Sequence, residues 1–217
     1  VDNSLRDAQR QFERQSHRFR ALALEFALTE EVRFAEAARA RMLTWARHHT
    51  PVNVYDFMPD FQNATLDGMT TGFCSDRPWN FALDAMWETY GLTNAADAYL
   101  LLTRSGYAIP DAEDRELRAW LREVAAAVNS SLHAWTKWAD LHPTSSSFER
   151  YRSDNHLSWA LIGLLGAGIA LDDPALVSYV LEGGTWDDGR SGPYANPSHF
   201  RDVVDRAIEG NGRLYEE

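Results

Sequence analysis

Between Asp111 and Trp138 the apolar residues Leu117, Trp120, Leu121, Val124, Val128, Leu132 and Trp135 fall on one helical face. A period near 3.6 does not fit a pleated strand, whose faces alternate every second residue, so this stretch is a helix with one buried side. The same pattern recurs upstream. Phe34, Ala38, Met42 and Trp45 form a stripe within residues 30–48, with Arg33, Glu36, Arg39 and Arg47 off it. Leu5, Phe12, Phe19, Leu22 and Phe26 do the same within residues 4–28. No βαβ alternation and no strand hairpin is read. The expectation is an all-α fold of antiparallel helices, either a bundle or a helical toroid.

Breakers divide the rest of the chain. Residues 79–103 predict a pair of helices interrupted near Gly91-Leu92-Thr93-Asn94, and Asp111 is placed as an N-cap with Asp114 at the capping-box position. Residues 155–171 read as a buried helix in which Gly163, Gly166 and Gly168 let backbones approach closely. Asp172-Asp173-Pro174 ends it and starts another helix to about Leu181, and a last helix is expected over 197–209. The stretches 50–78 and 183–197 are rich in Gly and Pro and too long to be simple connectors; long connections in compact domains tend to carry function.

Charge narrows the partners. The 217 residues hold 21 Lys+Arg against 32 Asp+Glu, a net charge of −11, and no basic tract occurs. Such a chain repels a phosphate backbone or an anionic bilayer, so neither nucleic acid nor membrane is expected as a partner. A polyanionic sugar stays open, because a local Arg-lined cleft can sit in an acidic protein. Cys74 is the single cysteine, which excludes an internal disulfide and a Cys-based zinc site. His48 and His49 are adjacent and point apart on a helix, and no His-x-x-x-His or calcium loop is present. Asp172-Asp173 and Asp187-Asp188 read as caps or solvated turns. No metal and no cofactor is expected.

The chemistry concentrates in Arg150-Tyr151-Arg152-Ser153-Asp154-Asn155-His156-Leu157-Ser158-Trp159-Ala160, where polar and ionisable groups crowd the start of an apolar helix. A helix N-terminus presents free N–H groups and a partial positive charge, which favour an anion. Asn155 adds an amide donor, His156 can exchange a proton near neutral pH, and Arg152 can hold a carboxylate in its fork. The plain alternative is an Asp154 or Asn155 cap with a core-facing His156.

Asp154-Asn155-His156-Leu157-Ser158-Trp159-Ala160 resembles the Asn-Asn-His-x-x-Trp-Ala signature of the alginate lyase superfamily, whose members are polyuronate lyases built as α/α toroids. Asn211-Gly212-Arg213-Leu214-Tyr215-Glu216 is similar to the family's later Asp-Gly-x-Leu-x-x-Glu segment. The resemblance covers roughly residues 135–182 and 205–217, with a general helical likeness upstream. It implies a single α/α-toroid catalytic domain over 1–217 that cleaves a mannuronate-rich uronate polymer by β-elimination. Asn155 would neutralise the uronate carboxylate, and His156 would act as base or as partner to a Tyr. Trp159 would shape the site or stack on sugar. The family's substrate-binding loops make Arg77, Trp79 and Asn80 binding candidates beside Arg152. A periplasmic or secreted location is implied as well. Two departures stand out. Asp154 replaces a first Asn, and the family's catalytic Tyr would follow the segment matched by Asn211–Glu216. The expectation is therefore a domain lacking its C-terminal helices, or a Tyr supplied from elsewhere, with Tyr151, Tyr194 and Tyr215 weighed and His199 as a second His.

Two other classes of function remain. A glycoside hydrolase on a similar toroid would draft two carboxylates from Asp76, Asp84, Glu88 and Asp154, though their spacing selects no pair. A non-catalytic carbohydrate-binding protein would use Trp79, Trp135, Trp138 and Trp186 as sugar platforms, Trp186 being the one expected to be exposed.

Overall fold

The helical stripes fold as amphipathic helices. The computed structural model describes residues 4–51, 53–56, 78–141, 155–190, 193–196 and 199–207. Within these, only the backbone is described at 4–6, 8–9, 55, 78–87, 134–135, 137–141, 155–156, 193–195 and 206–207. Among the described residues α1 (Ser4–Thr29) and α2 (Val32–His48) form a hairpin whose turn is closed by Glu30 in the left-handed region, φ 59°. A 3-10 turn, Val54–Asp56, follows. Then come α3 (Pro78–Arg104), α4 (Asp111–Leu141), α5 (Asn155–Ala170), α6 (Pro174–Glu182) and α7 (Phe200–Ala207). The secondary structure is thus essentially all-α.

Four expectations are corrected. α3 runs unbroken through Gly91. That glycine is a notch: a Cβ there would lie 2.2 Å from Phe12 Cε1, so the missing side chain is the space the α1 ring occupies. Asp111 opens α4 from inside the helix instead of capping it, and the Asp114 carboxylate accepts the Tyr99 hydroxyl at 2.6 Å rather than closing a capping box. Between α6 and α7 lies an antiparallel ribbon, β1 (Thr185–Asp187) with β2 (Pro193–Ala195), in a stretch read as loop. Trp186, expected on the surface, is 2% exposed. Its indole N–H donates to Asp173 at 3.1 Å and the Arg122 guanidinium lies over its ring.

The expected stop-and-start at Asp172-Asp173-Pro174 holds. Asp172 turns the chain at φ 51°, and Asp173 caps α6 by accepting from Ala175 N and Leu176 N at 3.1 and 3.0 Å. Burial works against the Asp173 charge. The Leu176 N–H, the Trp186 indole and Arg122 outweigh it and hold the carboxyl below the usual carboxylate range.

Helix direction follows from which residues meet. Phe12 packs on Gly91, Ser16 Oγ accepts from Asn94 at 3.0 Å, and Arg20 pairs with Asp97, so α1 and α3 run the same way. Thr89 lies against Gly163 and Ala96 against Gly166, so α5 runs with them. Arg39–Glu113 and Arg47–Glu116 align α2 with α4. Arg118 of α4 donates to Ala170 O at 3.3 Å and to Leu171 O at the far end of α5, which makes α4 antiparallel to α5. One row of three parallel helices, α1, α3 and α5, therefore packs against helices of opposite direction. Phe12, Phe19, Met42, Leu92, Leu117 and Leu121 are fully buried in the shared core.

This arrangement sorts the connections. The short turns after α1, α3 and α5 lie at one end. The long connections leave from the C-termini of α2, α4 and α6, all at the opposite end, where α3 and α5 begin.

Candidate active site

Asn155 and His156 occupy the first turn of α5, at the positive end of the helix dipole. Trp79 and Asn80 occupy the first turn of α3. Because the two helices are parallel neighbours, their first turns share the end from which the long connections depart. Of these four residues the backbone alone is described. Arg152 and Arg77 lie outside the described residues, as do Tyr151, Tyr215, Cys74, Asp76 and Asp154. The side chains of Tyr194, Trp135, Trp138 and Asp84 are likewise not described. Trp159 is half-buried one turn beyond His156, its ring 4.6 Å from that of Tyr90 and tilted by 50°. It ties α5 to α3, and burial, helped by Glu13, raises the Tyr90 hydroxyl pKa. His199 accepts from Asp202 N at 3.3 Å and caps α7, the bland role for it.

Behind this end lies a buried polar chain that the sequence reading did not pick out. Asn129 and His133 stand four residues apart on α4, one turn along the same face. The Tyr179 hydroxyl of α6 lies 2.5 Å from Asn129 Oδ1 and 2.8 Å from His133 Nε2. Asn129 Nδ2 reaches Asp188 Oδ2 at 3.2 Å, and Asp188 also accepts Arg190 N at 2.9 Å.

The protons can be assigned by elimination. A carboxylate only accepts, so the Asn129 amide nitrogen faces Asp188 and its oxygen faces Tyr179. That oxygen has no hydrogen, so Tyr179 donates to it. His133 Nε2 must then donate to the Tyr179 oxygen. Either a neutral or a charged ring could make that bond; burial, which lowers the His133 pKa to about 4 against an opposing pull from Asp188, makes the neutral form the one present near pH 7. Asp187 is exposed and accepts Gly189 N at 2.8 Å, as a cap or solvated turn would, whereas Asp188 is 6% exposed and belongs to this chain. An amide and an imidazole four apart on an otherwise apolar face were the available signal; it was masked by the run of alanines around them.

The 3-10 turn and the ribbon both dock on this part of α4. Asn53 donates to Ala126 O at 3.4 Å, and Val54 N donates to Ser130 Oγ at 3.0 Å. Arg122 donates to Asp187 O, Asn196 to Tyr179 O, and Arg190 joins the ribbon to Asp56 at 2.6 Å. Gly183, at φ 76° with His199 2.5 Å from where a Cβ would stand, turns the chain from α6 into the ribbon.

A second buried cluster lies deeper between α2, α3 and α4. The Trp120 indole donates to His49 Nδ1 at 3.4 Å, which leaves the His49 proton on Nε2, 3.1 Å from Glu88 Oε1. Phe12 lies over the imidazole at 4.4 Å. The Glu88 side chain is 1% exposed. It therefore has no path to a glycosidic bond, and one of the four carboxylates weighed for a hydrolase is removed.

Among the described residues no group of His, Cys, Asp and Glu is arranged to hold a metal ion, and no helix is long and apolar enough to cross a membrane. A family model described as alginate lyase matches residues 2–217. No curated protein and no solved structure matches the chain.

Proposed function

Because the chain belongs to the alginate lyase family, and so to the polysaccharide lyases, we propose that it cleaves a mannuronate-rich uronate polymer by β-elimination at the end where α3 and α5 begin. The observation that carries this reading is the parallel packing of those two helices. It brings the first turn of α5, with Asn155 and His156, alongside the first turn of α3, with Trp79 and Asn80. The row of parallel helices packed against antiparallel ones supports an α/α toroid.

The reaction sets the requirements. The C5 hydrogen of a uronate lies α to a carboxylate, and its removal builds a second negative charge on that group. A neutral donor aimed at the carboxylate stabilises the charge as it develops. The Asn155 amide at a helix N-terminus has that chemistry, and the helix dipole adds to it. His156 takes the C5 proton, or orients a Tyr that does so. The electron pair left at C5 forms the C4–C5 double bond as the C4–O4 bond breaks, and the departing oxygen collects a proton from an acid. Arg152 and Arg77 supply charge for the polymer's other carboxylates, and Trp79 and Asn80 supply stacking and hydrogen bonds. The substrate puts the protein in the periplasm or outside the cell.

The test is direct. Incubation with polymannuronate, polyguluronate and glucuronan, followed at the ultraviolet band of unsaturated uronates, is expected to show growth with polymannuronate first. New reducing ends without that band would mean hydrolysis. Binding with neither signal would mean a carbohydrate-binding protein.

A further inference from the structure

Tyr90, Asp97 and Arg104 recur every seventh residue of α3, about two turns apart, and so share one side of that helix. The opposite side meets α2 and α4. Glu88 bonds to His49 just past the end of α2, and Tyr99 to Asp114 of α4. Each of these is nine residues, about two and a half turns, from a member of the stripe. The stripe itself is open. Arg104 is exposed, and Arg20 of α1 meets Asp97 at 3.0 Å with 49% and 38% of the two side chains accessible. On the parallel neighbour α5, Ile162 and Ile169, again seven apart, are 42% and 44% exposed. Trp159 precedes Ile162 by three residues and packs across to Tyr90, ring centroids 4.6 Å apart and tilted by 50°. Both rings are half-buried, so the pair forms an aromatic ledge between the two stripes.

We propose that this ledge is a sugar subsite: Tyr90 and Trp159 hold the uronate adjoining the one that reacts, with a face of its pyranose ring against theirs. The chemistry of the ledge fits a sugar. A pyranose presents C–H groups on its faces and hydroxyls around its rim, so it needs an apolar platform with a wet or polar border. Two aromatic rings supply the platform; the open stripe and the Arg20–Asp97 pair supply the border. The place fits as well. Trp159 comes four residues, one turn, after Asn155 on α5, so a sugar on the ledge is the neighbour of one whose carboxylate meets the start of that helix. Tyr90 is thereby a substrate-binding residue supplied by α3, outside the signature on α5. The proposal rests on the lyase reading above.

Three variants of the full chain test it: Tyr90→Leu, Tyr90→Phe and Trp159→Leu. Each leucine variant is expected to raise KM for polymannuronate by ~3–10-fold while kcat stays within about twofold, since a stacking contact made alike in ground and transition states is uniform binding. Tyr90→Phe keeps the ring and is expected to raise KM much less than Tyr90→Leu. An unchanged KM in Tyr90→Leu, or equal increases in Tyr90→Leu and Tyr90→Phe, would overturn the proposal. A measurement on the unaltered protein decides the matter if the leucine variants do not fold. Mannuronate trisaccharide added to isotope-labelled protein should displace the aromatic ring resonances of Tyr90 and Trp159, and rings that stay unmoved at saturating sugar would reject the ledge. The same measurement separates the two readings. Displaced ring resonances with no unsaturated product from any uronate would end the lyase reading and leave the ledge standing as a sugar site.

Discussion

Replacing Gly91 by alanine discriminates between a hinge and a notch in α3. In an exposed helix interior the change would stabilise by about 1 kcal/mol, because alanine restricts the unfolded chain and glycine does not. Here the added Cβ would stand 2.2, 2.3 and 2.8 Å from three atoms of the Phe12 ring. That ring cannot swing away freely, since Trp45, His49 and Trp120 lie 5.2, 4.4 and 5.6 Å from it, centroid to centroid. Overpacking of a filled core costs roughly 1–3 kcal/mol, and contacts this short put Gly91→Ala at the upper end. The net is a loss of about 1–2 kcal/mol, or roughly 2–8 °C in Tm for a chain of this size. Calorimetry or denaturant titration monitored by Trp fluorescence measures it. Gly166→Ala is the control, because its Cβ meets Ala96 at 3.4 Å, and it should be neutral or slightly stabilising. Combining Gly91→Ala with Phe12→Leu should cost less than the sum of the two. A Gly91→Ala protein as stable as the original would refute the notch and restore the hinge.

The site makes a sharper demand: His156→Ala and Asn155→Ala should each cut turnover at least ~100-fold with little change in Tm, and near-normal activity in either would remove that residue from the mechanism. Stability should also fall in mild acid. His133 has its pKa lowered to about 4 in the fold from an ordinary 6.5, so the unfolded chain binds the proton more readily. The stabilisation is complete above pH 6.5 and drains away as pH falls toward 4. Between pH 7.5 and 5 this amounts to about 2 kcal/mol. Urea titrations at the two pH values should show that difference, and the His133→Gln variant should lack it; an equal slope in both would disprove the assignment. Asp173→Ala, which strips the α6 cap and the Trp186 and Arg122 partners together, should cost about 1–2 kcal/mol, with Asp173→Asn milder; equal stability of all three proteins would show the cap to be idle.

Local signals account for what was legible. Helix positions follow from apolar spacing in α1, α2 and α4, because burying such a stripe is the main reason those segments are helical at all. The Asp173-Pro174 start was legible for the same kind of reason: cap and proline act within one turn. The signature around Asn155 and His156 was legible as a resemblance, and the helix start there is what its residue types favour.

The readings that failed were ones decided by a partner far away in the sequence. Gly91 looked like a breaker because a glycine in a helix is ordinarily a cost, and only Phe12, arriving from α1, turns it into a fitted space. Trp186 and Asp188 looked exposed in a Gly/Asp-rich stretch; Asp173, Arg122 and Asn129 take them inside. Glu88 looked available until His49 closed on it. The amino-acid order alone settles which segments coil and where several of them start, since those terms act over four residues or fewer. Tertiary packing decides which polar groups face the core and which helix starts stand side by side. Those outcomes depend on partners tens of residues away, which no local pattern encodes.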